Sequence, residues 1–278
     1  MNRFHNQRFT RARALLAALT LAVIALAACQ RNQPPSLLPT LARPEDLQTW
    51  LPLTEVPAPT PYHAEVTVFT QIDNMLLESP GWRYVVQLRF DGVFARTPRE
   101  TSARAEAQVW FDQFSSARRV AVNTEGELLG ATDTSYEAVR LGPDAFMVRD
   151  GGCITNVPDA ETAAELRAGD LIGGVRRAIP VGARATINAA DVYRYRFDAE
   201  DLNLPNIRLG DGGRLTMTSG ELWIAPDHDA VVRFYVNLEV ENTVIFDQPL
   251  PVTGAVNIRY DVYDLGTREN NINVPFGC

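Results

Sequence analysis

The chain of 278 residues contains no lysine, and it has only three cysteines and three histidines. So few cysteines and histidines leave little material for a metal site or a histidine-dependent catalytic triad. The sequence also lacks the G-x-S-x-G, H-E-x-x-H, P-loop and G-x-G-x-x-G motifs of many hydrolases and nucleotide-binding proteins. These absences predict a protein that is not an enzyme and that needs no cofactor.

Basic residues are outnumbered by acidic ones. The formal net charge is −8, and all 26 basic residues are arginine. Four of these arginines lie in the first 28 residues, which contain no acid, so the rest of the chain carries 22 basic residues against 34 acidic ones, a net charge of −12. A chain this acidic, with no basic stripe, argues against nucleic acid as a partner.

Long apolar runs are limited to the N-terminus, where a basic start precedes an apolar run of 15 residues, 14–28. The run is shorter than the roughly 20 residues that a membrane-spanning helix needs. A basic start, a short apolar stretch and small residues at its end are typical of a secretory signal peptide. We therefore expect residues 1–28 to be a signal peptide.

The apolar run ends in Leu26-Ala27-Ala28-Cys29, which resembles the bacterial lipobox. The resemblance implies cleavage before Cys29, lipidation of its thiol and acyl chains such as palmitate that hold the protein to a membrane. An ordinary secretory cleavage with an incidental Cys29, or an uncleaved anchor, is the alternative. We expect an extracytoplasmic protein, anchored to the outer face of the cytoplasmic membrane or to an outer membrane.

Two cysteines remain, Cys153 and Cys278. In an oxidising compartment disulfides form and persist, so we predict a Cys153–Cys278 disulfide that fastens the C-terminus. Two buried free thiols are the alternative.

Proline is concentrated before the main domain. Eight of the 18 prolines fall within 34–61. Proline-rich chain is extended and semi-rigid, so we predict a tether over 29–61 and a single β-rich domain over 62–278.

Alternating hydrophobicity dominates from residue 62 onward. In 82–94, Trp82 and every second residue are mostly apolar, which predicts a strand with one buried face. The same parity would bury Ala64, Val66 and Val68 in a strand over 62–72. Further strands are predicted over 104–113, 117–123, 135–141, 144–149, 192–198, 214–225, 230–241 and 252–263.

One segment has the composition of a helix. Residues 159–169 combine good helix formers, acids in the first turn and a final glycine. Residues 169–180 are expected to extend this helix or to form a second one. About ten strands with one or two helices predict an α+β fold dominated by antiparallel sheet.

Three segments, 136–150, 191–198 and 220–234, resemble the extracytoplasmic lipoprotein carriers of the LolA/LppX-LprG type, as does the closing stretch 256–275. The resemblance implies a strongly curved antiparallel β-sheet, a half-barrel, with one or two short helices covering the concave face and an apolar cavity for acyl chains. Two features depart from the family: Cys153 replaces a frequent tryptophan, and the helical insertion is short.

The apolar stripe is the candidate ligand site. We expect the following residues to line a lipid cavity: Trp82, Tyr84, Val86, Leu88, Phe90, Val236 and Ile258. The function predicted is binding or carriage of a lipid or lipoprotein acyl chain by a membrane-anchored protein. The alternative is a structural or interaction lipoprotein of the cell envelope, in which the same stripe packs a filled core.

Three sets of polar residues are weaker candidates. Asp227-His228-Asp229 has the composition of a cation site or an acid–base group, but a polar turn between two strands is favoured. His63 is expected to be solvated. A calcium site built from Asp198, Glu200, Asp201 and Asp211 is disfavoured, because their spacing lacks the EF-hand order.

Overall fold

Antiparallel strand pairing organises the part of the chain that the computed structural model describes, which is residues 67–129, 134–246, 248–267 and 271–278. The predicted signal peptide, lipidated Cys29, tether and His63 lie outside these residues. All the described residues belong to one compact unit of the chain.

Thirteen strands make up the sheet in this part of the chain. The first seven are β1 (Thr67–Phe69), β2 (Gly81–Phe94), β3 (Glu100–Asp112), β4 (Ala117–Glu125), β5 (Thr134–Leu141), β6 (Asp144–Arg149) and β7 (Gly152–Thr155). The others are β8 (Gly174–Ile187), β9 (Ala190–Arg196), β10 (Leu202–Asn203), β11 (Ile207–Ala225), β12 (Ala230–Ile245) and β13 (Val252–Tyr263).

The sheet is open, with β1 at one edge and β7 at the other. Its strand order is β1-β8-β9-β11-β12-β13-β2-β3-β4-β5-β6-β7, and the short β10 pairs with β8. All these pairings are antiparallel, and most join strands that follow each other in the chain. Two short helices interrupt the strands, as expected for the helical insertion. The predicted α+β fold, a curved antiparallel half-barrel with few helices, is confirmed.

Strand register places the apolar stripe on one face. Val86 of β2 pairs with Tyr260 of β13 and with Ala107 of β3, and directly paired residues point to the same side of a sheet. The stripe runs from Trp82 to Phe94 and is buried, as the alternation predicted. The main hydrophobic core therefore lies on this face, which we call the concave face.

Helix α1 (Pro158–Ala164) packs on β4, β5 and β6, and helix α2 (Ala168–Ile172) follows after a three-residue link. The prediction of a helix over 159–169 is thus correct except for the break at 165–167. The second short helix expected within 169–180 is present, but it covers only the start of that stretch, because α2 ends at Ile172 and β8 begins at Gly174. Gly173 has φ +70°, and a Cβ there would lie 1.7 Å from the Asn203 carbonyl oxygen, so only glycine fits.

The first predicted strand also differs from the structure. Within 67–72 only Thr67–Phe69 is a strand, and its register with β8 shifts between those two residues. Phe69 is buried and Val68 is 60% exposed, so the predicted burial of Val68 is wrong. An edge strand of three residues with an irregular register cannot maintain the alternation that a longer strand imposes.

Cys153 of β7 and Cys278 form a disulfide with a Cα–Cα distance of 5.3 Å. The bond joins residues 125 positions apart and fastens the C-terminal segment to the edge strand. This agrees with the predicted pairing. Among the helices of the described residues, none has the length and apolar character needed to cross a bilayer.

Candidate functional site

An apolar cavity of about 230 Å³ lies between the concave face and helix α2. It is larger than an engineered apolar cavity of about 150 Å³ that admits benzene, and smaller than the roughly 300–1,000 Å³ of pockets for drug-sized ligands. Its size therefore suits a chain or ring of modest bulk.

Four neighbouring strands supply the floor of the cavity. Val86 and Leu88 of β2 pair with Ala107 and Ala105 of β3, so the four side chains form a patch on one face. The next strands extend this patch with Val122, Thr124 and Tyr136. The two alanines account for the space, because a larger side chain at either position would fill it.

The opposite wall comes from helix α2 and the link before it. Leu166, Leu171 and Ile172 face the floor, and Ile172 is buried. Leu129, Asn206, Phe246 and one charged residue, Glu106, complete the lining. Asn206 also donates from Nδ2 to the Leu171 carbonyl at 2.8 Å, which fastens the end of α2 to the chain before β11.

Polar side chains on the concave face hold the link between the helices. Arg118, buried on β4, donates from Nη2 to the Leu166 carbonyl at 2.6 Å, and the Tyr84 hydroxyl donates to the same oxygen at 3.3 Å. The preceding Glu165 forms an ion pair with Arg140. The wall of the cavity is thus bonded to the sheet at defined points, which fixes the distance between helix and floor.

Asp73 caps helix α2 from a distant part of the sequence. Its carboxylate accepts hydrogen bonds from the backbone N–H groups of Ala168 at 3.1 Å and Gly169 at 3.0 Å. Arg167 lies 3.6 Å from the same carboxylate. A short helix has few bonds of its own, so an acid that satisfies its first N–H groups contributes strongly to its placement.

Burial also controls the titration of the tyrosines near the site. Desolvation raises the pKa of Tyr84, and it raises that of the fully buried Tyr260 well above its usual value. The pKa of Tyr136, which lines the cavity, is also raised by burial. All three side chains are therefore neutral hydroxyls at physiological pH.

The cavity can bury an apolar group, because its surface consists almost entirely of carbon-rich side chains. None of its lining groups forms an obvious nucleophile–base pair. Within the described residues no cluster of three or more His, Cys, Asp or Glu side chains is arranged to hold a metal ion.

The structure divides the predicted ligand-binding residues into two groups. Val86 and Leu88 line the cavity. Trp82, Tyr84, Phe90, Val236 and Ile258 share its face but pack into the core. Trp82 stacks on Tyr84 with ring centroids 5.3 Å apart, and Tyr84 lies 5.5 Å from Tyr260, so aromatic rings fill the part of the concave side around Tyr84. A role for any of these residues in binding remains a prediction.

Sequence reasoning missed most of the other lining residues. The predicted strand 104–113 contains Ala105 and Ala107, but small side chains give no sign that they border empty space. Leu171, Ile172 and Phe246 carry no pattern that places them opposite β2. Their position depends on the cap from Asp73 and on the backbone bond from Phe246 N to the Asn206 carbonyl at 3.0 Å.

The weaker candidates occupy turns. Pro226–His228 is a short 3-10 turn between β11 and β12, and Asp229 has φ 49°, as the favoured turn interpretation expected. His228 Nδ1 lies 3.4 Å from Ser79 Oγ. Asp198 and Asp201 cap each other's backbone in another 3-10 turn. Local turn geometry thus accounts for these acids.

No family model matches the chain, and no curated protein matches it. Among solved structures, a LolA superfamily protein from Nitrosomonas europaea is similar to it with 10% sequence identity and a TM-score of 0.24. The match covers 74% of this chain and 95% of that chain. At so low a TM-score the fold described above rests on its own strand pairing, and membership of the LolA/LppX-LprG type remains a prediction.

Proposed function

We propose that this protein is an extracytoplasmic lipoprotein, anchored through Cys29, that binds the acyl chain of a lipid in the cavity beneath helix α2. The observation that carries the proposal is the apolar space between Val86, Leu88 and the facing Leu171 and Ile172. Moving apolar surface out of water contributes about 25 cal/mol per Å². The membrane anchor is supported by the predicted signal peptide and by the resemblance of Leu26-Ala27-Ala28-Cys29 to a lipobox.

Binding of this kind needs no catalytic group. The ligand's chain leaves water or a bilayer and occupies the space beside Ala105 and Ala107, while its polar end stays outside. The cavity is too small for a whole diacyl lipid, so we expect a single chain, or part of one, to enter. Fixed bonds from Arg118 and Asp73 keep the wall in place, which favours ligands of one width.

Native mass spectrometry of residues 30–278, which include all the described residues, tests this proposal. The protein is purified from an oxidising compartment, and spectra are compared with and without denaturant. We expect adducts with the mass of fatty acids or lipids that disappear on denaturation. A clean apo mass, unchanged after incubation with lipid vesicles, would contradict binding.

The aromatic cluster around Tyr84 favours a second candidate, an interaction lipoprotein of the cell envelope. Trp82, Tyr84 and Tyr260 occupy space that a larger lipid would need. In that case the opposite face of the sheet would dock a protein partner. Copurification with one stoichiometric protein, and no lipid in the purified material, would support this function instead.

A further inference from the structure

One residue of the cavity lining has an unusual backbone conformation. Phe246 has φ +57°, in the left-handed region. The other non-glycine residues of the described chain with positive φ are all small or polar, and none of them lines the cavity. A bulky side chain in this region is strained. Such strain persists only where surrounding contacts hold it, and it is concentrated at functional sites.

Contacts on both sides hold Phe246 in this conformation. It follows Ile245, the last residue of β12, which pairs with Ile207. Phe246 N donates to the Asn206 carbonyl at 3.0 Å, and Gln248 N donates to the Ile245 carbonyl at 3.3 Å, so Phe246 lies inside a tight turn. Glycine, asparagine and aspartate predominate at turn positions of positive φ. The turn alone therefore does not explain a phenylalanine there.

The ring of Phe246 lies at the mouth of the cavity. Its side chain lines the cavity and packs against the core, but it is only half-buried, so it contacts both the apolar space and solvent. The floor residues Val86 and Leu88, by contrast, are buried. The ring thus separates part of the apolar space from water.

The wall beside the ring is fixed. Asn206 Nδ2 donates to the carbonyls of Asp170 at 3.0 Å and Leu171 at 2.8 Å, at the end of helix α2, and Asp73 caps the start of the same helix. Displacing α2 would break all these hydrogen bonds. A rotation about the backbone of Phe246 breaks only its bond to the Asn206 carbonyl, and it releases the strain.

We propose that Phe246 is the gate of the cavity. A rotation of its backbone from the left-handed to the extended region moves the ring away from the mouth, and the ligand enters and leaves there while α2 stays in place. This inference rests on the proposed lipid binding. Strain in the closed state brings the open state closer in free energy, so the gate opens spontaneously.

A gate of this kind has a kinetic signature. If the ring closes equally over the empty and the occupied cavity, it slows entry and exit by the same factor and leaves the affinity unchanged. A side chain that only lines the wall acts differently, because its contacts with the ligand slow dissociation alone.

Stopped-flow binding of a fluorescent fatty acid to residues 30–278 tests the gate. Phe246→Ala removes the ring, so we expect association and dissociation both to become at least about five-fold faster, with the dissociation constant changed by less than about three-fold. Leu88→Ala, which shortens a residue of the floor, is the control and should speed dissociation alone.

The outcomes separate the gate from the proposed function. An unaltered association rate in Phe246→Ala, with fatty-acid binding intact in the unaltered protein, would overturn the gate alone. Failure of the unaltered protein to bind the fatty acid would overturn the proposed function, and the gate with it.

A comparison of glycine with alanine tests the strain without any ligand. Glycine adopts a positive φ freely and alanine does not, so Phe246→Gly should unfold at a higher urea concentration than Phe246→Ala. Val244, within the strand β12, is the control position. Glycine weakens a strand interior, so Val244→Gly should unfold at a lower urea concentration than Val244→Ala. A lower midpoint for Phe246→Gly than for Phe246→Ala would overturn the strained gate.

Discussion

Asp73 accepts a hydrogen bond from the backbone N–H of Gly169 at 3.0 Å, although 96 residues separate the two in sequence. The carboxylate is 4% exposed and also bonds Ala168 N. One buried acid therefore connects the chain before β2 to the helix that forms a wall of the cavity. The position of that wall depends on this long-range contact.

Asp73→Ala should destabilise the protein and weaken ligand binding. It removes a helix cap and leaves two buried N–H groups without their acceptor, which should cost about 2–3 kcal/mol. Urea unfolding of the variant measures the loss. Asp170→Ala, an exposed acid of the same helix, is the control and should change stability by less than about 1 kcal/mol. Equal effects of the two substitutions would show that Asp73 does not hold α2.

The disulfide should stabilise the folded state. Cys153 and Cys278 close a long loop, so replacing both with serine, or reducing the bond, should lower the free energy of unfolding by about 2–4 kcal/mol. Chemical denaturation with and without reductant measures the difference. The doubly substituted protein serves as the control, because its unfolding should not respond to reductant. An unaltered protein that is equally indifferent to reductant would contradict the bond.

Adjacent valines of β2 test which face is buried. Val86 is 2% exposed on the concave face, and Val85 points to the other side. Val86→Asn should cost about 2–3 kcal/mol, because it buries an amide without partners. Val85→Asn should cost less than about 1 kcal/mol, since water can reach the amide. A reversed order in denaturation experiments would mean that the face assignment is wrong.

Stability should decline at alkaline pH. Burial and the hydrogen bond to Asp261 raise the pKa of Tyr235 to about 12, above its ordinary value of 10.0. The unfolded chain therefore loses this proton first, and the contribution of Tyr235 is complete below pH 10 and lost as pH rises through 12. Tyr235→Phe should make the free energy of unfolding fall less steeply over this interval. An identical slope would rule out Tyr235 as a contributor.

Much of the fold could be predicted from the sequence, but little of the cavity could. Alternating hydrophobicity predicted that Trp82, Val86 and Phe90 share one buried face. This works because side chains of a long central strand alternate every two residues and only one face of the strand is buried. The strand β8 was missed, since Gly173 ends helix α2 only through a close approach to Asn203, which lies on a different element.

The cavity depends on such long-range relationships throughout. Ala105 borders open space because Leu171 stands opposite, and Leu171 stands there because Asp73 fixes α2. No local sequence pattern indicates that two elements leave a space between them. The sequence could therefore predict the buried face, and Val86 and Leu88 on it, but it could not show where aromatic rings fill this face and where the cavity stays open.

Filling the cavity tests the central claim most directly. Ala105→Phe places a ring in the space beside Leu88, and Ala121→Phe places the same ring on the opposite face of the neighbouring strand. A phenyl ring fits a cavity of this size, so the first variant should fold. Binding of a fluorescent fatty acid to residues 30–278 is the measurement. We predict that Ala105→Phe lowers affinity at least about ten-fold while Ala121→Phe leaves it unchanged. Undiminished binding by a folded Ala105→Phe protein would contradict the cavity as the ligand site.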